Sequence, residues 1–304
     1  MLSSAEWQKW RDHIDQVVEA EGKWVGILNG EGEPFLELDA PDFDTSTQNL
    51  DVTEGTLSVP VVEDGVVHPL VREFFGDGFG TDAGTILKPG ENKGLMLCVQ
   101  HPGGIEARHV SFIEYPTVEP GADGQPETLT FNTMELLGVM NFRLGVSIPA
   151  TWGAQPFKDW SRDEGGAYRV KRSLAPIELA TTSWMLTTGA KQAGDVSVEI
   201  NYSGDAVERI ASVIQDSLDA ADKLDGAPQA FVVESEGTGP RVRIARRDQT
   251  LWDTVAQTAR LAGVGLSARL WWPGDPAVKL HRGKSATFTK AMGVIRVVEA
   301  GEKE

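Results

Sequence analysis

The clearest alternation of hydrophobic and polar positions runs from Asp205 to Pro273, and each change of period predicts an element. Val207, Ile210, Ala211, Val213, Ile214, Leu218 and Ala221 recur at helical spacing, which predicts a helix capped by Asp205 and stopped by Gly226 and Pro228. Residues 229–234 and 240–247 then alternate about the connector 235–239. This predicts a hairpin with Phe231, Val233, Val242 and Ile244 on one buried face. Thr250-Leu-Trp-Asp253 opens a second helix, because the threonine oxygen takes an orphan amide and the acid suits a helix start. Leu251, Val255, Ala259 and Ala262 form its stripe, with Trp252 expected as a large core anchor. Gly263 and Gly265 release a strand, 266–272, which Pro273-Gly-Asp-Pro276 ends. The unit reads α-β-β-α-β.

Earlier in the chain, Ser3-Ser-Ala-Glu6 is a capping box, and Trp7, Trp10, Ile14 and Val17 share one stripe of the helix behind it. That stripe is costly to leave in water and is a candidate subunit contact. Residues 23–28 and 35–38 flank Asn29-Gly30 and predict a hairpin. Short β-rich runs at 55–60, 94–100, 107–115 and 127–132 extend it into a barrel-like or sandwich-like meander, followed by a short helix over 134–144. Residues 145–180 keep little periodicity and read as an insertion, with strand-like runs at 181–188 and 196–202 and closing strands within 286–298. The expected organisation is an N-terminal amphipathic helix at 1–22, a first β-rich domain at 23–144, an insertion at 145–202 and a second domain at 203–304. The fold class is α+β, mostly β.

Composition agrees: 33 glycines and 16 prolines in 304 residues suit short strands and tight turns, and a 40% hydrophobic share is enough for real cores. A net charge of −17 argues against phosphate-neutralising nucleic-acid binding and against anionic membranes. No run approaches the ~20 apolar residues of a membrane span, and the start lacks the pattern of a secretion signal, so no membrane insertion or routine export is expected.

The lone Cys98 excludes an intramolecular disulfide and multi-cysteine metal sites. His13, His68, His101, His109 and His281 are scattered outside ligand spacing, so neither metal nor cofactor is expected. Cys98 and His101 form a conceivable nucleophile pair, yet alternation points them to opposite faces and Leu95-Met-Leu-Cys-Val99 reads as core. No nucleophile elbow or Walker loop occurs, and the glycine-rich loop at 76–84 precedes no helix. An Asp/Glu glycosidase pair is defined by separation, which a sequence does not contain. Trp271-Trp272 and Trp152 with Trp160 could stack sugars, and Gln249-Thr-Leu-Trp-Asp-Thr-Val-Ala256 looks like the opening of a LysM module, although no second helix follows.

Two phrases bring a family into view: Val25-Gly-Ile-Leu-Asn-Gly30 through Gly55-Thr-Leu-Ser-Val-Pro60, and Arg247-Asp-Gln-Thr-Leu-Trp-Asp253 through Leu266-Ser-Ala-Arg-Leu-Trp-Trp-Pro-Gly-Asp275. With Glu127-Thr-Leu-Thr-Phe-Asn132 and its helix, they resemble the baseplate or tail-tip hubs among the minor tail proteins of long-tailed phages of actinobacteria. The resemblance implies two barrel-like hub domains per chain and a homotrimer that closes or continues the tail tube at the distal end of the virion. It also implies contacts with the distal tail ring, the tape-measure protein and other tip proteins, with DNA passing unbound. No catalytic role is implied. Larger relatives carry a C-terminal fibre or hydrolase extension, and a chain ending at Glu304 is not expected to digest cell wall or read a receptor. An acidic lumen would repel DNA phosphate. The competing readings are a carbohydrate-binding adhesion module and a cell-wall glycosidase.

Overall fold

The computed structural model describes residues 2–39, 42–45, 51–63, 65–71, 94–120, 126–145, 201–225, 229–245 and 249–300. The insertion expected over 145–202, the loop at 76–84, Trp152 and Trp160 lie wholly or almost wholly outside them. In chain order the elements are α1 (Ser4–Glu21), β1 (Trp24–Leu28), β2 (Pro34–Glu37), β3 (Asp42–Asp44), β4 (Glu54–Pro60), β5 (Val62–Glu63), β6 (Val66–Val67), β7 (Met96–Gln100), β8 (Arg108–Pro120), β9 (Pro126–Glu135), α2 (Val139–Phe142), β10 (Asn201–Asp205), α3 (Ala206–Asp225), β11 (Phe231–Glu236), β12 (Arg241–Ala245), α4 (Leu251–Ala262), β13 (Val264–Trp271), β14 (Val278–Lys279), β15 (Ser285–Ala286) and β16 (Met292–Glu299). Short 3-10 turns precede β8 and α2. The class is α+β with strand predominating.

The first body is a curled half-barrel sheet of seven strands in the order β2-β1-β7-β8-β9-β4-β3. Its inner face buries Val25, Ile27, Leu57, Val59, Leu97, Val99, Ile113, Leu129 and Phe131. Its outer face carries Trp24, Leu28, Met96, Cys98 and Val110 against α1 and the end of β13. Because β1 and β7 are buried on both faces, they read as continuous apolar runs without clean alternation. The β1–β2 turn closes as Asn29 predicts: its side-chain oxygen accepts the amides of Glu31 at 2.9 Å and Glu33 at 3.1 Å.

α1 starts on the expected capping box, with the Ser3 hydroxyl and the Glu6 carboxylate each taking the other's amide. Its apolar stripe closes on its own chain. Trp7 and Ile14 are each only 2% exposed, and Trp10 and Val17 pack beside them on the same cluster. Trp7 lies 5.7 Å from Trp272 between ring centroids, and Trp10 lies 6.4 Å from Trp24. Trp7 and Ile14 are thus spent on the first sheet and on β13's end, while Trp10 and Val17, the other two residues considered for a subunit contact, stay half-buried.

The second body places α3 and α4 against a three-stranded sheet, β11-β16-β13, and a two-stranded sheet, β10-β12. The caps form where expected, with Asp205 accepting the Glu208 amide at 3.1 Å and Thr250 accepting that of Asp253 at 3.0 Å. The expected β11–β12 hairpin does not form. β11 runs parallel to β16, while β12 pairs with β10, Tyr202 opposite Ile244. The connector explains the parting of the two strands, because the Gly239 amide donates to the second oxygen of Asp205 at 2.7 Å. The helix cap thus pulls the chain off β11 and towards β10. Val233 and Ile244 still meet in one core with Ile210, Ile214, Leu251, Val255 and Ile295, and Phe231 and Val242 pack on its margin.

Candidate functional site: a buried arginine–aspartate junction

The two bodies meet around Arg108. In-register pairing of β1, β7 and β8 sets Trp24, Gln100 and Arg108 in one row across the first sheet. Arg108 has a side chain only 4% exposed, so each of its donors needs a partner. Nε donates to Gln100 Oε1 at 2.8 Å, and the Gln100 amide nitrogen is anchored on the carbonyls of His101 and Gly104 at 2.8 and 2.7 Å. Nη1 donates to the Leu270 carbonyl at 2.9 Å and to Asp275 Oδ2 at 2.7 Å, while Nη2 reaches Oδ1 at 3.5 Å. The guanidinium also lies over the Trp272 ring, 3.7 Å from its centroid.

Asp275 is equally enclosed. It accepts the Trp272 amide at 2.8 Å within the turn and Arg11 Nη1 at 3.0 Å from α1. Arg11 donates as well to the Pro273 carbonyl at 3.1 Å. Gly274 sits at φ 98, so the turn needs glycine for its conformation, and a Cβ there would stand 2.9 Å from Arg11 Nη1 and push that side chain aside. Trp272 Nε1 donates to the Gly32 carbonyl at 3.0 Å and ties the β1–β2 turn to the same point. Beside it lies an apolar cavity of about 310 Å³, walled by Met96, Phe112, Leu136, Phe231 and Leu270. Burying such charges costs several kcal/mol each, and only near-complete hydrogen bonding offsets it. The arrangement suits holding parts together.

A second charged cluster lies on the open face of the three-stranded sheet. Glu234 and Arg296 are direct cross-strand partners, with Arg296 Nε 3.2 Å from the Glu234 carboxylate. Arg269 pairs with the same carboxylate at 2.7 Å and with Glu106, which Arg296 also reaches at 3.0 Å. Burial, with Arg296 beside it, pushes Arg269 down to about 10.

Two further chemistry-bearing groups among the described residues, His281 and Cys98, are tied up structurally. His281 Nε2 lies 3.0 Å from the Ser212 hydroxyl and Nδ1 lies 2.9 Å from that of Ser235. An activated serine needs a carboxylate on the far ring nitrogen to stabilise the imidazolium, and here a second hydroxyl occupies that place. Ser212 is 4% exposed. Next to it Arg282 pairs with Asp216, which the Tyr202 hydroxyl also meets. Cys98 is buried in β7, and desolvation, opposed by Arg108, pushes its thiol up to about 12. It is no nucleophile near neutral pH.

Of the residues singled out from the sequence, Leu251 and Val255 are fully buried in the second core, and Trp252 is half-buried on its margin. Trp271 and Trp272, considered as sugar platforms, are 0% and 1% exposed, and Trp271 Nε1 donates to the Pro276 carbonyl at 2.8 Å. Arg108, Gln100, Arg11 and Asp275 escaped sequence reasoning. Their one trace is Asp275 inside Pro273-Gly-Asp-Pro276, which reads as a strand stop.

No protein-family model matches the chain, and no curated protein does. Among solved structures it is similar to a chain of the Francisella PdpA–VgrG complex in its half-lidded form, at 9% identity and a TM-score of 0.31, over 97% of this chain and 36% of that one.

Proposed function

We propose that the chain is an architectural subunit of a phage tail tip, a hub of which three copies close or continue the tube through which DNA leaves. One observation supports this reading above the others: the early and late phrases that carry the hub resemblance are brought together in the fold. Trp272 bonds the turn that follows Val25–Gly30, and Asp275 of the late phrase binds Arg108 and Arg11, which lie outside both phrases, at the same point between the two bodies. The adhesion reading loses support because Trp271 and Trp272 are buried. No hydrolase activity is proposed, since the serine–histidine set is saturated by hydroxyls and the thiol stays protonated. With a net charge of −17, an acidic lumen lets DNA slide without binding. Direct imaging of assembled particles is expected to place three copies around the tail axis at the tip. A peripheral fibre, six equivalent copies, or absence from virions would contradict the proposal.

A further inference from the structure

β11 pairs with β16 along one edge only, and its outer edge would present unpaired amides and carbonyls. The strap between β13 and β16 covers that edge. Its root is held by Asp275 and by the bond from Trp271 to Pro276, and Val278 and Phe288 pack with Trp271 and Val294 in an apolar cluster that Leu280 of the apex touches from its edge. Its apex is held differently. Leu280 bridges to Glu234, the His281 amide donates to the Val233 carbonyl at 2.8 Å, and the His281 ring spans Ser212 of α3 and Ser235 of β11. Arg282 beside it is bound to Asp216 of α3.

We propose that the strap apex, 280–284, is an acid-released latch over the outer edge of β11, with His281 as the titrating contact. The ring is half-buried between two neutral hydroxyls, and a proton on it must be accommodated there. The charged groups bearing on it are Arg282 of the strap and Glu208, Arg209 and Asp216 of α3. On β11, Glu234 turns to the opposite face, towards Arg269 and Arg296. Burial first, then Arg282, holds the imidazole below its ordinary value of 6.5. A detached ring takes its proton at that ordinary value. Attachment is therefore intact above it and weakens as pH falls below it, by at most about tenfold in the opening constant per pH unit for one linked proton. The root of the strap is held without a histidine, so the apex is expected to open while the junction stays closed.

Hydrogen exchange on the intact chain tests this, comparing the His281 amide with that of Asp275, which donates to the Trp272 carbonyl at 2.9 Å. Between about pH 7.5 and about pH 5.5, and after correction for intrinsic exchange, the protection of His281 is expected to fall several-fold while that of Asp275 holds. His281→Gln keeps a neutral hydrogen-bonding side chain and is expected to abolish the drop. Ser235→Ala is expected to lower His281 protection already at the higher pH. Unchanged His281 protection in the wild type, an equal fall at both amides, or a drop that persists in H281Q would each overturn the latch.

Discussion

Arg108 and Arg269 both serve carboxylates beside β13, yet their settings differ in the one respect that decides their worth. The Arg108–Asp275 pair has side chains 4% and 3% exposed, whereas the network of Arg269 and Arg296 ends on Glu106, which is 57% exposed. Water reaches the Glu106 end of the second cluster and would replace that carboxylate if it were removed, although the side chains of Arg269 and Glu234 are only 13% and 14% exposed. It cannot do so at the first, where a lost partner leaves a buried charge uncompensated. Both clusters therefore span the two bodies, the first from β8 and α1 to the turn after β13 and the second from Glu106 to β11, β13 and β16, and they differ in how far water reaches their carboxylates.

The largest expected effect is at the junction. Asp275→Ala strands Arg108 and Arg11 and should cost about 3 to 5 kcal/mol in chemical denaturation. A loss under about 1 kcal/mol would put the junction in the same class as the open network. Glu135 sharpens the contrast, being a buried carboxyl held by the Thr53 amide at 3.1 Å in place of a guanidinium. Burial pushes it up from 4.5 to about 7, with Asp51 adding to the rise against the Thr53 hydrogen bonds. The folded chain keeps this proton while the unfolded chain releases it above 4.5, so stability falls as pH rises from 4.5 towards 7. Glu135→Gln should raise the unfolding free energy by about 1 to 2 kcal/mol at pH 8 and leave it unchanged at pH 4.5. A gain of equal size at both pH values would assign the effect to packing instead. The smallest effect belongs to Glu106→Gln, expected within about 1 kcal/mol and vanishing in high salt. A salt-insensitive loss of several kcal/mol there would erase the distinction between the clusters.

What could be read from the sequence was what short-range chemistry decides. The caps at Ser3, Asp205 and Thr250 and the Asn29 turn each depend on groups within a few residues, and each forms. Strand partnership was harder. The 235–239 connector has no two-residue hairpin turn, and its glycine amide is claimed by Asp205, a contact that local alternation does not contain. β11 instead finds β16, far along the chain, through parallel pairing. The stripe of Trp7 and Ile14 announced burial but not against what. Trp252 stood one position off the stripe of Leu251 and Val255, and half-burial follows from that offset on the helix surface. Arg108 was invisible for a different reason: a polar residue in an alternating strand reads as solvent-facing, and only the register with Gln100 and the approach of Asp275 make its place a buried one.

Scanning calorimetry of the intact chain asks most directly whether the junction makes one building block of two bodies. A single transition is expected for the wild type, with the calorimetric and van't Hoff enthalpies equal. Asp275→Ala is expected to split it into two, as the curled sheet and the helical body melt apart. Two transitions in the wild type, or one undivided transition in the variant, would contradict the account.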